Sequence, residues 1–542
     1  MSGFRLPAAG WRVDFEDPER SFAAKTNFEL ARSLLIFNVC AVPPLVQNAS
    51  ILYKAATRAL GQHLPDSVIR ASFFRHFCGG ESESDLMPVM KRLGNNGVGA
   101  ILDYAAEADV DSAPRGDHAA HPEYAGEAEC DYNAAIVVSS IDAAAVAAEH
   151  GGMEPFAACK MTALGRPELL ERLSRILNSL SASFSRLDTD GTGQLTAAKF
   201  IDGLQRAGST LDAEQLASIF RDLDLNADGM VEYADWMDGL MATSDGNLAP
   251  CSLFSNAFDP IAGPAYKTLA DGAFEPLTKE EAQQYSRMLA RADDIAQHAA
   301  SKGVKLLIDA EQTYMQPAID HLALLLMQRH NAERAIIFNT YQCYLKDAPQ
   351  RVAKDMERAA RQGFVFAAKA VRGAYMVQER RLAAEHGYES PIHETKEATH
   401  ECYDRVVDAI LTSKVAGAED ARTRAAAVMV ASHNEESVLK TLARMHELGL
   451  EPADGIFFAQ LQGMCDHVSY ALGQEGYAVY KYLPYGPVKE VMPYLLRRLE
   501  ENSDIMGTMG KQRRMMWTEL KRRATSWSSA VLGHSATAVA RR

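Results

Sequence analysis

The chain has no Cys-x-x-Cys pair. Its eight cysteines, at 40, 78, 130, 159, 251, 343, 402 and 465, are scattered through 542 residues, and no His/Cys cluster has zinc spacing. That excludes a zinc or disulfide scaffold and points to reduced thiols. No apolar run reaches the ~18 residues of a membrane-spanning helix. The longest, Leu34 to Val46, is interrupted by Asn38, Pro43 and Pro44, so the protein is not expected to cross a bilayer. There is no block of Lys or Arg, and the net charge of -15 is the wrong sign for neutralising phosphates, which argues against nucleic acid as a partner. A Gly-rich phosphate turn after a first strand is also missing, since Gly191-Thr192-Gly193 sits in another context. The N-terminus mixes Arg5, Arg12 and Arg20 with Asp14, Glu16, Asp17 and Glu19, too acidic for a good transit peptide, so any organelle address is absent, cleaved or atypical.

What is present is repetition. Short apolar runs suited to buried parallel strands recur at Ala100 to Tyr104, Phe156 to Met161, Lys305 to Asp309, Ala335 to Phe338, Phe364 to Val371, Ala426 to Val430, Gly455 to Phe458 and Ala478 to Tyr482. The last six each precede an amphipathic helical pattern, such as Pro317 to Arg329 or Glu435 to Leu448. Eight strand-helix units predict an α/β fold of the (βα)8 type, with a doubly wound sheet as the alternative. The expected organisation is an N-terminal helical arm (1–98), a first part of the barrel (99–165), an all-α insertion (166–245), the remainder of the barrel (246–510) and a C-terminal helix and tail (511–542). Asp109 to Tyr132 and Ser244 to Pro276 read as loops. Residues 28 to 62 read as amphipathic helices with basic Arg32, Lys54 and Arg58, able to lie on a membrane surface or to cover the barrel, the packing role being preferred.

The insertion carries two EF-hand-like loops. In Asp224 to Asp235, the side chains of Asp224, Asn226 and Asp228, position seven at Met230 and the final Asp235 fit a twelve-residue calcium loop, with Gly229 at the sixth position. Asp235 replaces the usual Glu, which weakens calcium and makes magnesium more competitive. The upstream loop has Asp188, Asp190, Thr192 and Gln194 in the same register, and Leu195 and Val231 fall where paired loops meet. It ends in Lys199, a cation where the bidentate carboxylate belongs, which puts metal there in doubt. The alternative is a helical spacer without metal.

In a (βα)8 barrel the reactive groups lie at the C-terminal ends of strands. Those ends are polar here: Lys160, Asp309-Ala310-Glu311-Gln312, Asn339-Thr340-Tyr341-Gln342, Lys369-Ala370-Val371-Arg372-Gly373-Ala374-Tyr375, Ser432-His433-Asn434 and Tyr482. After Tyr482 comes Leu483-Pro484-Tyr485-Gly486-Pro487 and a predicted helix whose Tyr494, Arg497, Arg498 and Glu501 share a face. Paired guanidiniums form a fork for a carboxylate, though the same pattern also describes a solvated ion-pair face.

Lys160 in Lys-Met-Thr-Ala-Leu-Gly, Asp309-Ala310-Glu311, Tyr341-Gln342, Lys369 to Tyr375, Ser432-His433-Asn434 and Tyr482…Arg497-Arg498…Glu501-Asn502 resemble the motifs of the proline dehydrogenase family, the eukaryotic mitochondrial members above all. The resemblance covers roughly residues 66 to 505, interrupted by the insertion. It implies a distorted (βα)8 barrel that holds FAD without a Rossmann domain. By the same resemblance Lys160, Arg497 and Arg498 match the cations on the proline carboxylate, and Tyr375, Leu461, Tyr482 and Tyr494 the walls of the ring pocket. Asp309 matches an acidic active-site position, and Lys369 the position near flavin N5, where bacterial relatives carry Arg. Gln342, Arg372, Gly373, Ala374, Ser432, His433 and Glu501 match flavin-contacting positions, and Glu107 the carboxylate that gates the pocket. The implied reaction moves a hydride from C5 of L-proline to the flavin and yields Δ1-pyrroline-5-carboxylate, with electrons passed to a quinone at the inner mitochondrial membrane, to which the protein is peripheral. Asp309 or solvent takes the amine proton. The rivals are a 4-hydroxyproline dehydrogenase, disfavoured by the bulk of Tyr482, and a calcium-responsive binding protein with an inactive barrel.

Overall fold

The computed structural model describes residues 13–105, 126–241, 277–416, 420–504 and 510–525. The eight apolar runs form the eight parallel strands of a closed barrel. These are β1 (Val98–Tyr104), β2 (Phe156–Cys159), β5 (Lys305–Ile308), β6 (Ile337–Gln342), β7 (Ala367–Val371), β8 (Ala427–Ala431), β9 (Ile456–Leu461) and β10 (Val479–Tyr485). They pair in the order β1-β10-β9-β8-β7-β6-β5-β2, and β2 closes on β1. Strands buried on both faces need no alternation, which is why Lys305-Leu306-Leu307-Ile308 is buried at all four positions.

Phe156, Phe338, Phe457 and Tyr480 meet edge to face inside the barrel, with Phe156 centroids 4.8 Å from Tyr480, 5.1 Å from Phe457 and 5.8 Å from Phe338. Each occupies the first or second residue of its strand. The aromatic rings therefore plug the N-terminal end and leave the polar groups to the other end. The loop expected through Tyr132 ends earlier, because the helix Glu127–Gly151 begins there.

The barrel is distorted at its last helix. Val488–Asp504 packs chiefly on the N-terminal arm: Val488, Val491, Tyr494, Leu495 and Leu499 join Phe22, Leu30, Ile36, Phe37, Cys40, Phe74 and Phe77 in a separate apolar core. The arm is pinned to β10, where the Gly79 amide donates to Pro484 O at 2.8 Å and the Gly486 amide to Gly80 O at 3.1 Å. A buried ion triad ties it further: Lys25 reaches Asp466 at 2.5 Å, and Asp466 reaches Lys481 of β10 at 2.8 Å.

Between β2 and β5 stand the helices Pro167–Leu187, Ala197–Arg206, Ala213–Leu223 and Tyr233–Met241, with β3 (Gln194–Thr196) antiparallel to β4 (Met230–Glu232). Leu195 faces Val231 in that ladder, as the sequence register anticipates. Pro167–Leu187 also packs on the barrel helix Gln316–His330, so the lobe shares its apolar core with the barrel wall.

Candidate active site

Cations and carboxylates from different strand ends meet at the C-terminal mouth. Lys160, just past β2, places Nζ 3.3 Å and 3.4 Å from the two carboxylate oxygens of Asp103 on β1. Asp309, just past β5, accepts from Lys369 Nζ of β7 at one oxygen and from the Tyr482 hydroxyl of β10 at the other, the latter at 2.7 Å. The Lys369 ammonium lies 5.5 Å from the centre of the Tyr482 ring. Asp103 and Lys369 are buried, and buried ions persist only when paired and hydrogen-bonded. Desolvation first, then the charges of Asp103 and Asp309, push the Tyr482 phenol well above its ordinary pKa. Tyr482 is thereby kept neutral, a donor to Asp309.

Just past Asp309 in the chain, burial pushes the Glu311 carboxyl up to about 7 despite bonds from the Thr162 hydroxyl at 2.8 Å and 3.0 Å. Gln342 Nε2 donates to Glu311 O at 3.0 Å, while its Oε1 is buried without a partner, an acceptor that a ligand N–H could satisfy.

The expected face of the Val488–Asp504 helix forms. Arg498 pairs with Glu501 at 2.6 Å and stacks 5.0 Å above the Tyr494 ring. Arg498 and Tyr494 are buried and Arg497 is half-buried. Glu501, matched to a flavin contact, is thus also the carboxylate that orients one arm of the guanidinium fork.

Arg372, just past β7, is engaged at all three of its nitrogens. Its Nε donates to His400 Nδ1 at 2.8 Å, Nη1 to Ser432 Oγ at 2.7 Å and Nη2 to Ser437 Oγ at 2.8 Å, and its plane lies 4.3 Å over Tyr403. It fixes Ser432 more than it offers a free fork. His433 Nε2 accepts the Leu461 amide at 3.0 Å, which assigns the proton to Nδ1, and desolvation holds its pKa down to about 3, so the ring is neutral. Gly373 has φ of 128°, and a Cβ there would fall 1.5 Å from the Tyr344 ring, so only glycine fits. Gly373 and Ala374 are exposed, and Tyr375 opens the next helix, half-buried. Exposed small residues, an orphaned buried acceptor and a neutral imidazole suit a flat heteroaromatic group with both polar and apolar edges, and flavin is such a group.

Glu107 lies outside the described residues. Asp103, His400, Ser437 and Thr162 belong to the network although the sequence motifs do not single them out, and Glu311, named there only as part of a strand-end motif, joins them. The signal for Asp103 was legible, a lone carboxylate ending the apolar run Ile101-Leu102-Asp103; His400 and Ser437 sit on helices and carry no local signal.

The EF-hand-like loops differ from each other. In the first, Lys199 Nζ reaches Asp190 Oδ1 at 2.7 Å, Thr192 Oγ1 at 3.1 Å and Gln194 O at 3.2 Å, so an ammonium already engages the oxygens a metal would use. In the second, Asp224 receives the amides of Asp228 at 3.1 Å and Gly229 at 2.8 Å. Asp235, expected to close the metal cage, instead meets Arg361 of the barrel helix Ala348–Gln362 at 3.3 Å, and Arg361 also pairs with Glu232. Among the described residues no cluster of three or more His, Cys, Asp or Glu is gathered to hold a metal. The expected ligand set is therefore incomplete at its twelfth position, because a guanidinium from the barrel competes for that carboxylate.

A closed parallel barrel with ion pairs gathered at its C-terminal mouth has the architecture of a barrel enzyme. The family described as proline dehydrogenase matches residues 168–511. Human mitochondrial proline dehydrogenase 1 is 38% identical, the alignment covering 94% of this chain and 90% of that protein. A Xenopus laevis hydroxyproline dehydrogenase is 33% identical over 93% of this chain and 88% of its own. The chain belongs to the proline dehydrogenase family. The crystal structure of proline utilization A from Bdellovibrio bacteriovorus, inactivated by N-propargylglycine, superposes with a TM-score of 0.52 at 15% identity, covering 89% of this chain and 38% of that one. At that identity the likeness is one of fold.

Proposed function

We propose that the chain oxidises L-proline to Δ1-pyrroline-5-carboxylate with FAD as its resident cofactor. The observation that carries this reading is the charge layout of the mouth. Lys160, paired with Asp103, and Arg497 and Arg498, the latter paired with Glu501, are the proposed carboxylate-binding cations; Asp309, held by Lys369 and Tyr482, is the proposed carboxylate toward the secondary ammonium, and Tyr482 and Tyr494 are the proposed walls of the ring pocket. A zwitterion needs both signs at fixed separation, and the paired strand ends supply them. Gln342, Lys369, Arg372, Gly373, Ala374, Ser432, His433 and Glu501 would hold the flavin, which when bound supplies the two-electron acceptor for the hydride from C5. Asp309 is the candidate to take the amine proton, and Tyr375 and Leu461 complete the pocket wall. Glu107 is proposed as the gate. Electrons pass to a quinone, which places the protein peripherally at the inner mitochondrial membrane. A divalent cation, calcium or magnesium, is proposed at 224–235; its entry requires Asp235 to leave Arg361.

A 4-hydroxyproline specificity is the second reading, since relatives of that name align over most of the chain. Tyr482 weighs against it: its ring fills space, and its hydroxyl is committed to Asp309. The test is anaerobic addition of L-proline to the purified protein. The expected result is a flavin absorption band that bleaches; a colourless protein, or a band proline leaves intact, would overturn the reading in favour of an inactive barrel.

A further inference from the structure

The N-terminal arm has two faces, and the function above uses one of them. Its inner side packs on the helix carrying Arg497 and Arg498. Its outer side is apolar. Among the described residues seventeen large hydrophobic side chains are exposed, and nine fall between positions 28 and 68. Helix Asn27–Cys40 buries Leu30, Ser33, Phe37 and Cys40 inward, yet presents Phe28 and Leu35, 72% and 60% exposed, outward. Helix Ala49–Leu60 buries no residue at all, and Ile51, Leu52 and Leu60 project from it. Leu64 and Val68 follow at i, i+4 spacing on His63–Ile69. A helix apolar on its inner and outer sides requires a second apolar medium outside.

The charge of this stretch identifies the medium. Between 27 and 75 the cations are Arg32, Lys54, Arg58, Arg70 and Arg75, against Glu29 and Asp66, in a chain of net charge -15. Glu29 is taken by Arg92 and Arg70 by Glu81. Arg32 and Arg75 line an inward cavity with Glu29, His76 and Arg92, while the exposed Lys54 and Arg58 have no ion-pair partner among the described residues. A second copy docking through the same face would bring these cations together, which like-charge repulsion opposes. An anionic bilayer surface complements both properties.

We propose that the outer face of the arm, from Phe28 to Val68, is the membrane-docking surface, seated on anionic phospholipid with Lys54 and Arg58 against headgroups. The proposal deepens the quinone reading and rests on it for its purpose, because docking there would set the substrate-binding helix beside the bilayer that holds a lipid-soluble acceptor. Vesicle binding is measured independently of turnover. The full chain would be sedimented with phosphatidylcholine vesicles made with or without phosphatidylglycerol. Wild type is expected on the anionic vesicles only. Lys54→Ala/Arg58→Ala is expected to bind about 30-fold more weakly, as two surface cations are lost. Ile51→Glu/Leu52→Glu/Val68→Glu is expected to abolish binding, while both variants keep wild-type proline oxidation with a soluble dye acceptor. Unchanged sedimentation of both variants would overturn the proposal, as would a wild-type dimer that the triple variant dissociates without loss of vesicle binding. Wild type that binds vesicles but does not oxidise proline would instead retain the docking surface and sink the enzymatic reading.

Discussion

Replacing Tyr482 with serine tests the pocket at the point where the two substrates of the family would part. The phenol oxygen lies 2.7 Å from Asp309 Oδ2 and is spent as a donor, and the ring occupies the space beyond it. Tyr482→Ser removes the ring and releases one carboxylate oxygen that Lys369, on the other oxygen, does not satisfy. A substrate hydroxyl entering that space finds a charged acceptor, and a hydrogen bond to a charged group contributes about 1.5–3 kcal/mol. Proline gains nothing from the same vacancy and loses a wall. The ratio of kcat/KM for 4-hydroxyproline over proline should therefore rise by about 10- to 150-fold, each 1.36 kcal/mol being tenfold. The assay is steady-state oxidation of each substrate with a soluble dye acceptor. Tyr482→Phe is the control, since it frees the same oxygen without opening space, so both substrates should slow with little change in ratio. An unchanged ratio in Tyr482→Ser, or an equal rise in Tyr482→Phe, would refute the argument that ring bulk excludes the hydroxyl.

The arm and the lobe give two further tests. Asp466→Asn leaves Lys481 buried without its counter-ion and unties Lys25 from the barrel; urea unfolding should show a loss of about 3–5 kcal/mol, and a loss well under that range would mean the triad adds nothing over a neutral hydrogen bond. Although burial alone would raise the Asp466 carboxyl, Lys25 and Lys481 hold it well below the usual carboxylate range. Its contribution is therefore complete above the unfolded value of about 3.9 and is lost as pH falls through the folded one, so the stability gap between wild type and Asp466→Asn should close progressively in acid. In the lobe, Lys199→Glu replaces the ammonium that engages Asp190, Thr192 and Gln194 with the carboxylate a calcium loop requires. Calorimetric titration should then show one more calcium bound than in wild type; an unaltered stoichiometry would mean the loop backbone, not Lys199, excludes metal.

Most of the barrel was legible because its strands are short, apolar and separated by amphipathic helices, so that periodicity alone placed eight elements in order. The candidate site was legible at the strand ends for the same reason: a polar residue closing an apolar run has few structural uses. What could not be read was who pairs with whom. Asp103 lies 57 residues from Lys160, Asp309 lies 60 from Lys369 and 173 from Tyr482; the first pair depends on β1 lying beside β2, the second on β5 and β7 flanking β6, and the third on the barrel closing β10 on β1 and β1 on β2. Arg361 was invisible for a related reason. It sits in an ordinary amphipathic helix, and it reaches Asp235 only because the lobe's first helix doubles as a wall of the barrel, which brings a guanidinium from one element to the carboxylate of another. The sequence of a loop states which oxygens are offered to a metal. Whether they are free to bind it depends on the neighbours that folding supplies, and here the first loop carries its own cation while the second borrows one from the barrel.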